Sequence, residues 1–233
     1  ESSEEFKKDN LFQDKELLRM LKADGIEIED LEDLSRYPIL ENKLPKLCAD
    51  RLDGVLHTCA IWLHTHSLND IAKIFSDLTI LEDNDKLEIG FKSEEFALKF
   101  AEMVLVYAKE LQANRNKFVT QYLSDVIKLS IEKGLITIED LYTKSESEII
   151  GMLQNLPSWN LFTNASSMIS SDTKPFDSYS VSIDVKKRNV IPLVDVNGIP
   201  LRINEVNEQA RSIYEEIDNY QDKKYGFIRG LKL

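Results

Sequence analysis

The apolar residues of this chain keep one period through its first two thirds and then change to another. From Leu44 onward, Leu47, Cys48, Leu52, Val55, Leu56, Cys59 and Leu63 recur at three- and four-residue steps, the mark of a helix with one buried face. Pro45 suits the first turn of that helix, where a missing N–H costs nothing. Glu4 to Leu21 reads as a charged amphipathic helix, and SLNDIAKIFSDL as another, opened by Ser67 with Asp70 three positions on, a relative of the capping box. Ser93 caps a long helix, KFVTQYLSDVIKLSIEK forms the next and stops at Gly134, and Thr137 and Ser145 cap two short ones. Leu78 to Phe91 reads as two strands joined by the polar turn Glu82 to Asp85. In SYSVSIDVKKRNVIPLVDVNGIPLRI the period becomes two, and Asn197-Gly198 marks a tight hairpin. A helix from Asn204 to Tyr220 closes the pattern. The fold class implied is mostly α, a helical core over residues 1–165 followed by a small antiparallel sheet and helix over 166–233.

With 233 residues, 42% of them apolar and 30% charged, the chain can bury a core without a staple. Cys48 and Cys59 are its only cysteines and make no C-x-x-C pair, so a disulfide framework and a cysteine-built zinc site are not indicated. A reducing, cytoplasmic location is expected. The net charge of -12 repels nucleic acid and anionic membrane except where a basic patch overrides it. Basic residues gather only at Lys186 to Arg188 and in the terminal KKYGFIRGLKL, so nucleic acid is a disfavoured partner. No apolar run reaches the ~18 residues that a spanning helix needs, and no membrane partner is expected.

On a helix beginning near Pro45, Asp50, Asp53, Gly54 and His57 share a face. Carboxylate oxygen suits magnesium or manganese, and imidazole nitrogen suits manganese, iron or zinc, so such a face can hold part of a metal site. The competing reading has both aspartates in solvent, Arg51 paired with a nearby acid and His57 hydrogen-bonded locally. His64 and His66, two residues apart, do not share a helical face and read as structural. Trp62 and Phe75 are candidates for core or interface. Phosphate-binding glycine loops, the G-x-S-x-G elbow and H-E-x-x-H are all missing.

LPKLCADRLDGVL, then LEIGFKSEEFALKFAE, then NRNKFVTQYLSDVIKLSIEKGLITIEDLYTKSESEII closely resembles the HD-domain metal-dependent phosphohydrolases, in the bacterial branch related to the deoxynucleotide triphosphohydrolases. The likeness runs from about Glu1 to the C terminus, and its strongest parts are CADRLD and the helix pair ending in GLITIEDLY. It implies an HD-like helical core that binds a divalent metal (Mn, Fe, Ni, Zn or Mg) through a histidine, a histidine-aspartate pair and a final aspartate matched by Asp50. Arg51 matches a basic residue that meets substrate phosphate, and Asp53 matches a second acid that orients a ligand or Arg51. Gly54 stands where the family commonly has tyrosine, and His57-Thr58 where an arginine-aspartate pair usually follows. His57 is therefore a substitute polar group at the substrate rim.

The expected activity is hydrolysis of a nucleotide or other small phosphate ester. No His-Asp dipeptide occurs in the chain, and in the family those ligands lie upstream of the region that Glu1 to Leu21 resembles. Opening on Glu1 rather than methionine favours a cropped product; the substituted downstream pair favours a degenerate member. The rival expectation is an inactive HD-like scaffold or an anion-binding module, with the C-terminal sheet and tail as a homo-oligomer or partner surface.

Overall fold

Short polar signals set several of the helix starts in the computed structural model, which describes residues 11–32 and 36–233. After a 3-10 turn at Leu11–Gln13, α1 (Lys15–Ala23) begins where the Asp14 carboxylate accepts from the Glu16 and Leu17 N–H groups. The part of the expected first helix that precedes Leu11 lies outside the described residues. A four-residue α2 (Glu29–Glu32) precedes α3 (Ala49–His57), which runs on into a π-helical turn at Thr58–Trp62. Next come α4 (Leu68–Ser76), β1 (Leu78–Asp83), β2 (Lys86–Phe91) and the long helices α5 (Glu94–Gln112) and α6 (Asn114–Glu132). Short helices α7 (Ile138–Thr143), α8 (Glu146–Leu153) and α9 (Pro157–Thr163) follow, then strands β3 (Ile169–Ser171), β4 (Ser180–Val181), β5 (Leu193–Val196) and β6 (Ile199–Arg202). The chain ends in α10 (Ile203–Val206), α11 (Glu208–Asn219) and β7 (Tyr225–Phe227). Full capping boxes start α4, α7 and α8, at Ser67, Thr137 and Ser145. The protein is thus mostly α with a small β part, and no helix among the described residues is long and apolar enough to cross a membrane.

Two compact units share the chain: residues up to Ala101 with Val190–Arg211 form one, and Glu102–Asn189 with Ser212–Leu233 the other. The alternating segment read as one antiparallel sheet is accordingly distributed between two. In the first unit the order is β1-β2-β5-β6, in which β1 and β2 form a hairpin, β5 and β6 form a second through Asn197-Gly198, and β2 pairs with β5 in parallel. Alternation predicts strands but not their partners. Gly90 permits the β2–β5 approach, since a Cβ there would lie 2.6 Å from Leu81 Cδ1 and 2.9 Å from the Leu193 carbonyl oxygen.

Within this sheet Glu88 is 0% exposed, a charge that burial alone would penalise heavily. Arg202 meets it bidentately, at 2.6 and 2.8 Å, and the Leu47 N–H donates to the same carboxylate at 2.9 Å. Arg202 also donates to the Ile191 carbonyl at 2.7 Å, and Lys46 Nζ stands 3.8 Å from Glu88. One carboxylate therefore joins β2, β6 and the loop before α3.

The second unit packs α6 against a three-stranded sheet ordered β3-β7-β4. Its core gathers Phe118, Tyr122 and Val126 from α6 with Ile136, Leu153, Trp159, Val181, Ile228 and Leu231. Phe118 stacks on Tyr122, and Tyr179 sits edge-on to both. The Tyr179 hydroxyl donates to Asp125 at 2.7 Å.

Removing Arg202 leaves the Glu88 carboxylate buried without its main partner, so Arg202→Ala is expected to lower unfolding free energy by about 3–5 kcal/mol. A Glu88→Gln/Arg202→Met double variant should lose much less; urea titration of the three proteins decides this. Burial, reinforced by the neighbouring Asp125 charge, raises the Tyr179 pKa above its ordinary value. That contribution to stability is complete below the unfolded phenol pKa of about 10 and lost as pH rises through the folded value. Melting curves of Tyr179→Phe should therefore fall less steeply than those of the parent at alkaline pH.

Candidate functional site

Helix α3 does not begin at Pro45. It begins at Ala49, because residues 38–48 are held in a loop that leads into it, with a cis Leu44–Pro45 peptide and Pro45 four positions ahead of the helix. Cys48, in extended conformation, offers no side-chain cap. Carbonyls from the loop serve instead: Ala49 N–H donates to Ile39 O at 2.8 Å and Asp50 N–H to Leu40 O at 3.3 Å. Leu52, Val55 and Leu56 are buried, and the opposite face is left to Asp50, Asp53 and His57.

Arg51 fixes the loop to the helix. Its Nη1 donates to Asn42 Oδ1 at 2.5 Å, to the Lys46 carbonyl at 3.1 Å and to Cys48 Sγ at 3.1 Å. Its Nη2 donates to Glu41 Oε1 at 2.7 Å and to the Asn42 carbonyl. Asn42 adds its own bonds, from Nδ2 to the carbonyls of Pro38 and Leu47 at 3.0 and 3.2 Å. The expectation that Asp53 orients Arg51 is corrected here. The acid paired with Arg51 is Glu41, at the other end of the loop, whereas Asp53 lies exposed on the outer face of α3. Spacing along the helix cannot reveal a partner that precedes the helix by eight residues and reaches it only because the loop folds back.

Asp50, Asp53 and His57 are all exposed and follow one another along one face of α3. His57 meets the Trp62 ring edge-on at a centroid distance of 6.1 Å. Trp62 is 66% exposed and Phe75 60%, so both belong to the surface. His64 Nδ1 pairs with the Ala60 carbonyl at 3.2 Å and His66 Nδ1 with the Thr65 hydroxyl at 3.0 Å. The π turn that separates these histidines from α3 is of a kind frequently found at functional sites.

Among the described residues no three histidine, cysteine, aspartate or glutamate side chains are grouped so as to hold a metal ion. Asp50 offers a carboxylate, and the described residues do not complete a ligand set around it.

No family model and no solved structure matches the chain. It is similar to a bacterial protein of unknown role. That relative is the uncharacterized protein YdhJ of Bacillus subtilis (strain 168), 25% identical over 239 residues that cover 96% of this chain and 69% of YdhJ. The similarity thus extends through both units.

Arg51→Ala breaks charge-assisted bonds and frees the loop that starts α3, for an expected loss of about 1.5–3 kcal/mol. Asp50→Asn and Asp53→Asn touch only the exposed face and should stay within about 0.5 kcal/mol of the parent. Thermal and urea denaturation of the three variants tests this division between locking and exposed residues.

Proposed function

We propose that this chain belongs to a metal-dependent phosphohydrolase of the HD type and supplies its terminal aspartate ligand, Asp50. The observation that carries the reading is the setting of Asp50 in the first turn of α3, exposed on a face shared with Asp53 and His57 while Arg51 locks the preceding loop. A ligand carried on so constrained a helix start is held in place before any ion arrives, which is what metal affinity requires of a protein.

In such an enzyme the bound ion supplies an activated water and neutralises charge on the attacked phosphoryl group. This chain's residues have narrower tasks. Asp50 presents a carboxylate oxygen, Arg51 positions it through the 41–48 loop, and Asp53 and His57 offer an acceptor and a titratable ring to a substrate lying along the helix. Arg51 is thereby a positioning residue; its guanidinium is already committed to the loop. The remaining metal ligands have to come from outside the described residues.

A second reading, an HD-like scaffold that binds partners or anions without catalysis, is favoured by the incomplete ligand group. Elemental analysis separates the two. Protein expressed from the complete reading frame is expected to carry stoichiometric manganese, iron, nickel, zinc or magnesium and to lose it in Asp50→Asn, with the fold intact by circular dichroism. Full metal content in Asp50→Asn, or none in the parent, overturns the enzyme reading and leaves the scaffold.

A further inference from the structure

Arg115, in the first turn of α6, lines a cleft of about 550 Å³ in the second unit. Phe118 and Val119 follow it three and four residues on, so one face of α6 supplies both a guanidinium and an apolar wall. Phe162 and Thr163, at the end of α9, form the next part of the lining, and the 165–168 segment that leads into β3 and Ile228 just after β7 complete it. Among the described residues no carboxylate lines this cleft, although the chain as a whole carries a net charge of -12.

The polar groups of the cleft are uncommitted where its apolar groups are fixed. Arg51 and Arg202 are each paired with a carboxylate and with backbone carbonyls. The Arg115 side chain makes no hydrogen bond and no ion pair among the described residues, and neither do the hydroxyls of Ser166 and Ser167. Thr163 is different: its hydroxyl donates to the Trp159 carbonyl at 3.0 Å. Phe118 is 1% exposed and stacks on Tyr122, and the Phe162 ring lies 4.5 Å from that same tyrosine between centroids. Gly226 lets Met168 pack against β7, since a Cβ there would stand 3.2 Å from Met168 Sδ. The apolar wall is therefore part of the core of this unit, and its open side is left to solvent or a ligand.

We infer that this cleft binds a small amphipathic carboxylate, its two oxygens meeting the Arg115 fork and its aromatic or branched body lying against Phe118, Phe162 and Met168. Exposed arginines are common, and Arg188 in the same unit is another without a partner. Arg115 differs in sharing its cleft with an apolar wall that the chain does not cover. The charges select the headgroup. One guanidinium and no acid match a single negative charge, and the planar fork suits two carboxylate oxygens, with Ser166 and Ser167 as further donors. A phosphate dianion would keep one charge uncompensated, an amine would be repelled, and a neutral apolar molecule would gain nothing from the guanidinium. The wall selects the body, because two phenyl rings and a thioether favour contact with an aromatic or branched group. The volume lies within the range of small-molecule sites. The site is independent of the α3 face and of the phosphohydrolase reading.

The test is titration of the isotope-labelled 233-residue chain, followed by amide NMR shifts and calorimetry, with benzoate, phenylacetate, indole-3-acetate and 4-methylpentanoate. Acetate offers the charge without the body, benzyl alcohol the body without the charge, benzylamine the opposite charge and phenyl phosphate a second negative charge. At least one of the four carboxylates is expected to bind at least about tenfold more tightly than any comparator and to shift the amides of Val119, Ser166 and Ser167. Arg115→Gln should weaken that binding about tenfold and Arg115→Glu further, both with the parent's unliganded melting temperature because Arg115 bonds to nothing in the fold. Arg188→Ala should leave the affinity unchanged. The inference is overturned if none of the four binds, if acetate or benzyl alcohol binds as tightly as the best of them, or if phenyl phosphate binds more tightly than all four. Affinity that is the same in Arg115→Gln as in the parent, or that falls equally in Arg188→Ala, also overturns it.

Discussion

The buried carboxylate of Glu88 is the constraint on which the first unit depends. A charge with no exposure is tolerable only when its partners are fixed, and here Arg202 and the Leu47 N–H fix it from two directions. Arg202 ends β6, so the arginine can reach Glu88 only if β5 and β6 are correctly paired and β5 lies parallel to β2. The same carboxylate draws in the chain just before α3. Sheet assembly and the placement of α3 are thus coupled through one side chain, because neither arrangement leaves Glu88 satisfied without the other.

That coupling gives the outer face of α3 its character. The loop of residues 38–48 is gripped at Leu47 by Glu88, at Pro45 by the Ile191 N–H at 2.8 Å, and along its length by Arg51. With the loop fixed, its carbonyls at Ile39 and Leu40 receive the first N–H groups of the helix. The helix then has no need of a side-chain cap, and the acids of its first turns stay free for solvent or ligand. Asp50 also lies where the positive end of the helix favours negative charge, so its carboxylate is compatible with the fold even where no metal is bound.

Local signals were legible in the sequence because their physics is local. Ser67, Thr137 and Ser145 each lie three residues ahead of an acid, and each forms a complete capping box. Asn197-Gly198 closes a hairpin with both residues at positive φ, as that dipeptide allows. The start of α3 was misplaced because Pro45 is equally at home in a turn, and the choice was made by bonds from Arg51 and Glu88 that no helical periodicity encodes. Glu88 itself was invisible. In LEIGF the alternation favours burial of leucine, yet Leu87 is 49% exposed and Glu88 fully buried, since the partner that makes this possible lies 114 residues away.

The part of the candidate site with the clearest chemical reputation, an arginine next to the aspartate proposed as a ligand, is also where the structure most limits function. Guanidinium is well suited to phosphate because its fork matches two oxygens. In this chain both terminal nitrogens of Arg51 are already occupied by five acceptors, one of them the Glu41 carboxylate. To meet a phosphate, Arg51 would have to abandon a charge-assisted pair and several bonds to backbone, each bond to a charged group contributing about 1.5–3 kcal/mol. A single phosphate contact returns about as much as one of those bonds, so exchanging the set is unfavourable, and the loop that starts α3 would be released in the process. Any phosphate bound near Asp50 must therefore draw its positive charge from a metal ion or from another residue, and Arg51 influences it only through the position it gives that aspartate.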